Sequence, residues 1–184
     1  MPRSKTQLEV QIPIHGVVVA GTLEWIGQPH GVVIFAHGSG SSRRSPRNQF
    51  VAEVLQQAGF ASLLMDLLTD EETEDHDKVF DIDLLAERLN GAADWIGQQP
   101  QLSGLPLGFF GASTGSAAAL VAAASHPERI AAVVSRGGRP DLAWRVLTRV
   151  QAPTLLIVGG NDEPVRTWNE DALVQLECVK EIVV

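Results

Sequence analysis

The chain has 184 residues and one cysteine, with 45% hydrophobic and 20% charged residues, which predicts a single globular domain over residues 1–184 and excludes an intrachain disulfide. Its net charge of −8 falls to −2 when the six carboxylates between residues 70 and 77 are set aside, and no basic stripe suggests nucleic acid as a partner. The N-terminal residues lack the apolar core of a secretory signal and no apolar run reaches the roughly 18 residues of a membrane helix, so we expect a cytoplasmic protein with no membrane partner.

Strand-like runs open the chain. Two runs separated by His15 and Gly16 predict an antiparallel hairpin, and residues 31–36 form a continuous apolar run typical of a strand buried on both faces. Ser45 is then the expected N-terminal cap of a helix, and Pro46 is its expected first residue. The predicted strands are 8–14, 17–25, 31–36, 61–65, 107–110, 130–135, 153–158 and 179–184.

Helix-spaced apolar residues alternate with these strands, over 46–58, 82–96, 114–125 and 165–176 and in a short helix at 142–147. The acidic run 70–77 reads as a solvated loop. This order predicts an α/β fold, a mostly parallel, doubly wound sheet of about eight strands with helices on both faces. The last apolar run has no helix after it, so we expect the natural protein to continue beyond Val184, and an uncovered strand edge there would favour homo-oligomers.

The segment 107–115, LGFFGASTG, carries the strongest chemical signal. An apolar strand leads into a G-x-S-x-G turn and an alanine-rich helix. This turn forces a strained reversal that lifts the serine hydroxyl above the sheet, and its glycines leave room for the close approach. The pattern predicts Ser113 as a nucleophile, and a turn of small residues without chemistry is the alternative.

An attacked carbonyl also needs donors for its developing negative charge. Backbone N–H groups suit this role because they are fixed dipoles, and one is expected from Thr114, the residue after the nucleophile. The glycine- and serine-rich loop 37–42 follows the third strand, and we expect Ser39 or Gly40 to supply the second donor. His37 is expected to order this loop rather than to act as a base.

An acid at the end of a later strand completes the pattern. Asp162 follows the strand at 153–158 and is the candidate for orienting a histidine, although it could instead cap the next helix, and Glu163 lies one position away. The order serine, then aspartate, then histidine is that of the α/β-hydrolase fold.

Three segments in this order resemble the α/β-hydrolase superfamily and, within it, the dienelactone hydrolase family: HGSGSS at 37–42, GASTG at 111–115 and GGND at 159–162. The resemblance implies an α/β-hydrolase fold and a hydrolase that acts on a small-molecule acyl substrate, an ester or lactone, without a cofactor or metal. Dienelactone hydrolases proper carry cysteine where this chain has Ser113. The family's catalytic histidine lies in the loop after the last strand, which here falls a few residues past Val184.

None of the resident histidines suits the role of base. His15 and His30 precede the third strand, at the other end of the sheet, and His126 ends the helix after the nucleophile. His76 lies on the acidic run, where neighbouring carboxylates favour its charged form. The chain of residues 1–184 is therefore expected to need a histidine from outside it.

Arginines follow the strand at 130–135. Arg136 and Arg139 could bind a substrate carboxylate through a bidentate fork, and a salt bridge to Asp141 or to the acidic run is the alternative. Arg43, Arg44 and Arg47 near the other loop are expected to be solvated. Trp144 and Trp168 could line a pocket or belong to the core.

Two other functions compete with hydrolysis. One is a hydrolase-like scaffold without catalysis. The other takes Gly108, Gly111 and Gly115 as a phosphate cradle of a dinucleotide site, with Arg136 on a phosphate, although that fingerprint belongs on the first strand-to-helix turn and has another glycine spacing.

Overall fold

The computed structural model describes residues 4–184, which fold around one eight-stranded sheet. The strands are β1 Lys5–Ile14, β2 Val17–Ile26, β3 Val32–Ala36, β4 Ala61–Met65, β5 Leu107–Ala112, β6 Ile130–Arg136, β7 Thr154–Ile157 and β8 Lys180–Val183. The α-helices are α1 Pro46–Gln57, α2 Asp70–Thr73, α3 His76–Val79, α4 Ile82–Gly97, α5 Thr114–Ser125 and α6 Glu163–Gln175. A 3-10 helix spans Pro140–Arg149.

The strand order is β1-β2-β4-β3-β5-β6-β7-β8. The pairs β1–β2 and β2–β4 are antiparallel, and all other neighbouring strands are parallel. The predicted hairpin is present. Its two turn residues, His15 and Gly16, both have positive φ values, 47° and 86°, and a two-residue turn of this kind matches the twist of antiparallel strands. The predicted α/β class with a mostly parallel eight-stranded sheet is confirmed.

Helices cover the sheet on two faces. On one face Ala52 of α1 packs against Phe35, Leu64 and Phe110 from the three central strands. The larger core on the other face includes buried residues from α4, from α5 and from the 3-10 helix. Every residue of α5 from Thr114 to Ala124 is buried, because its glycine, serine and alanine side chains let the helix lie close to the sheet.

The topology singles out one place at the carboxyl edge of the sheet. The connection from β3 runs through α1 to β4, whereas the connection from β5 runs through α5 to β6, on the other side. The chain therefore leaves the two adjacent strands β3 and β5 in opposite directions, which opens a crevice between the loops that follow them. Ligands of open α/β sheets bind at such switch points.

The acidic run is the clearest difference from the sequence-based expectation. Residues expected to form a solvated loop fold into α2 and α3. Thr69 and Glu72 form a capping box at the start of α2, with Thr69 N–H donating to Glu72 Oε2 at 3.0 Å. Glu72 Oε1 also accepts a hydrogen bond from the buried Arg88 at 2.9 Å. The T-x-x-E spacing at 69–72 is a recognised helix-start signature that the charge pattern obscured.

The second half of the chain shows one further difference and one expected edge strand. The short helix expected at 142–147 is a 3-10 helix of ten residues that starts at Pro140. Within residues 4–184, β8 pairs only with β7 and is an edge strand, with Val183 and Val184 exposed. No helix in this described part of the chain is long and apolar enough to cross a membrane.

Candidate active site

Ser113 joins β5 to α5 in a strained backbone conformation. Its φ of 52° and ψ of −125° lie outside the usual regions for a residue with a side chain, and His15 is the one other non-glycine residue with positive φ among residues 4–184. The Ser113 side chain is exposed and makes no capping hydrogen bond to α5. The hydroxyl is thus presented at the crevice, as the G-x-S-x-G pattern predicts. Strain of this kind concentrates at functional sites.

Three glycines make the reversal possible. A Cβ atom on Gly115 would lie 2.3 Å from the Ala36 carbonyl oxygen and 2.5 Å from that of His37. A Cβ atom on Gly111 would lie 2.4 Å from Ser116 Cα, and one on Gly38 would lie 2.8 Å from Ser113 Cβ. The turn at Ser113 therefore lies directly against the backbone that follows β3. No larger residue fits at these positions without moving main chain.

The loop after β3 is a tight turn that is bonded to the start of α5. Ser41 N–H donates to the Gly38 carbonyl at 3.1 Å, and Gly40 occupies the third position of this turn with φ of 70°, which glycine adopts without strain. Ser39 N–H donates to Thr114 Oγ1 at 2.9 Å. The structure thus brings Ser39 and Thr114 together beside Ser113, with Gly40 in the same turn as Ser39, and the Ser39 amide already has an acceptor.

His37 orders this loop, in agreement with the expectation from the sequence. Its Nδ1 donates to the Gly38 carbonyl at 2.9 Å and its Nε2 accepts from Leu67 N–H at 3.2 Å. Burial lowers the pKa of the His37 imidazole, and the hydrogen bond to Gly38 and the Asp66 charge oppose this shift only in part. The neutral ring links the β3 loop to the end of β4, so neither nitrogen is left for acid–base chemistry.

A second loop, after β6, holds the turn from the opposite side. Ser116 Oγ donates to the Ser113 carbonyl at 2.7 Å and accepts from Arg139 N–H at 3.0 Å. The fully buried Asn169 of α6 donates through Nδ2 to the Gly138 carbonyl at 3.0 Å. Ser116 and Asn169 are absent from the sequence-based candidates, because a serine and an asparagine inside helices carry no pattern that points to a partner far along the chain.

The two candidate anion-binding arginines differ in their partners. Arg139 makes a bidentate ion pair with Asp141, with its Nη2 at 2.8 Å from Asp141 Oδ2, and lies over the Trp168 ring at 4.3 Å. The Asp141 alternative named in the sequence analysis therefore holds for Arg139. Arg136 instead donates to the neutral Asn48 Oδ1 at 3.2 Å and lies over the Phe110 ring.

Arg136 is the more available cation at this edge. Burial, followed by the nearby Arg47 charge, lowers the pKa of its guanidinium. No carboxylate within residues 4–184 forms a salt bridge with Arg136. Arg136 lies beside Ala112 in the register of β5 and β6, and its carbonyl accepts the Ser113 N–H at 3.4 Å. Arg136 is thus a cation without a carboxylate partner among residues 4–184, on the strand next to the one that leads into Ser113.

Asp162 lies in the turn after β7, at the same carboxyl edge as the end of β5. Its N–H donates to the Gly159 carbonyl at 3.2 Å, and it stands at the cap position of α6. Its side chain is exposed and makes no capping hydrogen bond, so the carboxylate is not used as a helix cap. Glu163 is the first residue of α6.

No histidine in the described part of the chain is bonded to Ser113 or to Asp162. His15 is in the β1–β2 turn, His30 packs against the Phe60 ring, and His126 follows the last residue of α5. His76 is the first residue of α3 and packs against Phe80. A histidine outside residues 1–184 as the base therefore stays a prediction.

Two cavities lie near the β3 loop. The cavity adjoining the site has a volume of about 640 Å³, and Gly38, Ser39 and Gly40 form part of its lining. The other, of about 560 Å³, lies over the outer strands β1 and β2, and charged side chains such as Lys5, Glu9 and Glu24 line it. The first has apolar side chains in part of its lining and adjoins Gly38, which packs against Ser113.

The expected solvation of the arginines near this loop is wrong for Arg43. Arg43 donates from its N–H and its Nη1 to the two carboxylate oxygens of Asp66, at 2.8 and 2.7 Å, and is largely buried. Arg44 and Arg47 are exposed. Trp144 is about half exposed, whereas Trp168 is half-buried beneath Arg139.

Gly111 of β5 and Gly115 of α5 have a structural role in the packing of the turn. Their Cβ positions are filled by the protein's own main chain, which accounts for both glycines without a phosphate and counts against the dinucleotide alternative. Within residues 4–184, no cluster of three or more histidine, cysteine, aspartate or glutamate side chains could hold a metal ion.

Comparison with known proteins agrees with this geometry. The family model described as alpha/beta hydrolase fold matches residues 31–158. The chain belongs to this family. It is also similar to a crystal structure of dienelactone hydrolase from Anabaena variabilis, with 56% identity and a TM-score of 0.93, covering 97% of this chain and 85% of that chain. Within the family, the chain is therefore dienelactone hydrolase-like.

One other relative is a much longer protein, and another has a much lower sequence identity. A Mycobacterium tuberculosis protein that carries the provisional name phosphoribosyl transferase is 58% identical over 164 residues, which is 89% of this chain. The chain spans only 37% of the length of that curated relative. A cold-adapted esterase from an Arctic intertidal metagenomic library shares the fold at 18% identity, with a TM-score of 0.83, covering 98% of this chain and 84% of that chain.

Because of the close contact at Gly115, we expect a methyl group added at this residue to lower the unfolding free energy strongly. The Gly115→Ala variant should lose about 3 kcal/mol of unfolding free energy, because the new Cβ would meet two carbonyl oxygens that cannot move independently. Gly97→Ala is the matched control, since a Cβ there meets nothing within 4 Å, and it should leave stability unchanged or slightly raised. Urea unfolding measures both variants, and equal stabilities would contradict the account of the turn.

The buried His37 predicts a pH dependence of stability. Since its folded-state pKa is lowered, the unfolded state binds the proton first as the pH falls, and the unfolding free energy should drop below about pH 6.5, by at most about 1.4 kcal/mol per pH unit. Urea unfolding between about pH 7.5 and pH 5.5 measures this. His37→Gln should flatten the slope and His126→Gln, at an exposed site, should not; identical slopes in both variants would rule out His37 as the cause.

Proposed function

We propose that the protein is a serine hydrolase of the dienelactone hydrolase-like type that acts on a small ester, lactone or related acyl substrate. The observation that carries the proposal is Ser113, whose exposed hydroxyl stands on a backbone with φ of 52° and ψ of −125° at the start of α5. Such a strained turn has a cost of order 1–3 kcal/mol, and it persists here because main chain of two other loops fixes it.

In the proposed reaction Ser113 Oγ attacks the substrate carbonyl carbon and its proton passes to a histidine. The carbonyl oxygen becomes an oxyanion, and the leaving alcohol oxygen then takes the proton as its bond to carbon breaks. Water, deprotonated by the same histidine, attacks the acyl-serine ester and releases the acid and Ser113. We propose that this histidine lies outside residues 1–184, as the resemblance to the family implies, and that Asp162 orients it.

The proposed oxyanion donors are the main-chain N–H of Thr114 and one N–H of the Gly38–Ser41 turn. First-turn amides of a helix lack internal acceptors, so the Thr114 N–H is suited to an external oxygen at the positive end of α5. Because the Ser39 N–H is bonded to Thr114 Oγ1, Gly40 is the donor we favour, and Ser39 would have to exchange its partner to take part.

We propose that Arg136 binds an anionic group of the substrate. It stands one strand from Ser113, and its polar partner Asn48 carries no charge. A guanidinium binds carboxylates through two parallel hydrogen bonds and gains most where water is partly excluded. Arg139 is assigned to holding the β6 loop through Asp141 and Trp168 rather than to binding substrate directly.

The name of the Mycobacterium tuberculosis relative supplies a second candidate, transfer of a phosphoribosyl group. The observation favouring it is 58% identity over 164 residues. Against it, the matched segment is 37% of that relative and coincides with a hydrolase fold, so we assign the named activity to the rest of the longer protein. Pyrophosphate release from phosphoribosyl pyrophosphate that requires an added acceptor for the phosphoribosyl group would favour the transferase over the hydrolase.

Ser113→Ala tests the proposal directly. In the protein produced from its complete gene, this variant should hydrolyse p-nitrophenyl acetate at least about 100-fold more slowly, because the attacking oxygen is removed and only binding and the oxyanion donors remain. Ser125→Ala, at the exposed far end of the same helix, is the matched control and should keep full activity. A fluorophosphonate probe should label the Ser125→Ala variant and leave the Ser113→Ala variant unlabelled. Equal turnover by both variants would end the proposal, and a wild-type protein that resists the probe would favour a scaffold without catalysis.

A further inference from the structure

The 640 Å³ cavity beside the β3 loop has a size and lining suited to a small organic group. We call it the α2–α3 cavity, because residues of both short helices contribute to its wall. Its volume lies within the range of small-molecule sites. Its apolar lining comes from Ala20, Leu67, Leu68, Val79 and Leu85. Its rim carries the hydroxyl groups of the serine-rich loop and of Thr73.

The cavity is bounded by the loop that packs against the proposed nucleophile. Gly38 and Ser39 line it, and the space where a Gly38 side chain would begin is 2.8 Å from Ser113 Cβ. Ser39 is in turn bonded to Thr114, the residue after Ser113. A group attached to a carbonyl carbon at Ser113 would reach the cavity by passing this loop.

The charges around the cavity select an uncharged occupant. Asp66 is neutralised by its paired hydrogen bonds with Arg43, and the remaining charged lining residues, Arg44 and Asp70, are of opposite sign. The wall behind Asp70 is the acidic run, held in place by the contact between Glu72 and the buried Arg88. Negative charge concentrated in this wall disfavours an anionic group there.

The strand order fixes which part of a substrate meets the cavity. The cavity lies toward β2 and β4, on one side of β5, whereas Asp162 follows β7 and Arg136 ends β6, both on the other side. A histidine oriented by Asp162 must approach the leaving oxygen in order to protonate it. The leaving group therefore lies toward β6 and β7, and the acyl group lies toward the cavity.

We propose that the α2–α3 cavity binds the acyl group of the substrate and selects an uncharged, apolar acyl chain, while the Arg136 side takes an anionic leaving group. This inference rests on the proposed serine hydrolase function. It gives the acidic run a role that its charge pattern alone does not reveal: α2 and α3 form the wall of the acyl site, and their carboxylates direct anionic groups to the other side of Ser113.

The test compares p-nitrophenyl acetate with p-nitrophenyl hexanoate and p-nitrophenyl hemisuccinate. The wild-type protein from the complete gene should show a higher kcat/KM for the hexanoate than for the acetate and a lower one for the anionic hemisuccinate. Val79→Trp fills the cavity and should reduce kcat/KM for the hexanoate at least about tenfold while changing that for the acetate less than about threefold. Val174→Trp, at a position 76% exposed on α6, is the matched control and should change neither.

Thr73→Trp at the exposed rim provides a second variant, should Val79→Trp not fold, and carries the same expectation. Equal losses for acetate and hexanoate, no loss for either, or a preference for the hemisuccinate would overturn the acyl assignment while Ser113-dependent turnover persists. Absence of Ser113-dependent turnover of every ester would instead reject the proposed function, and the acyl site with it.

Discussion

The close contact between the turn at Ser113 and the backbone after β3 is the constraint on which the site depends. Gly115 has two carbonyl oxygens where a side chain would begin, and Gly38 lies against Ser113 itself. This contact leaves no freedom for the turn to relax into an ordinary strand-to-helix connection. It also aligns the Gly38–Ser41 turn with the start of α5, so strain and donor placement have one common cause.

Packing around this contact extends in two directions. On one side the neutral His37 ring joins the β3 loop to Leu67 at the end of β4. On the other side Ser116 joins Ser113 to the β6 loop, and Asn169 ties that loop to α6, the helix that Asp162 precedes. The turn is therefore held by the loops after β3, β5 and β6 together. A change in any of them should reach Ser113 through one or two hydrogen bonds.

Much of the fold could be predicted from the sequence because its signals are local. Alternation of apolar runs with helix-spaced residues gave the element order, and the G-x-S-x-G pattern placed the strained turn at Ser113. The like charges of the acidic run predict a solvated loop, whereas the Thr69–Glu72 capping pair starts a helix there. The bonding of Ser39 to Thr114 joins residues 75 positions apart, and no local pattern encodes such a contact.

Charged side chains are distributed unevenly around Ser113. Arg136 and Arg47 lie toward β6 and α1, whereas the carboxylates of the acidic run lie beyond the α2–α3 cavity. In the proposed assignment the apolar acyl group lies toward the cavity and the anionic group lies toward Arg136. That assignment gives an anionic substrate with one apolar arm a single orientation, and orientation of this kind supplies a large part of what a positioned nucleophile needs.

The central claim concerns where a substrate oxygen sits relative to Ser113, and a crystal structure of the protein after reaction with an alkyl fluorophosphonate tests it most directly. The account predicts phosphorus bonded to Ser113 Oγ, its oxygen within about 3 Å of the Thr114 and Gly40 N–H groups, and its alkyl chain in the α2–α3 cavity. Phosphorus bonded to another residue, or an oxygen turned away from both amides, would contradict it.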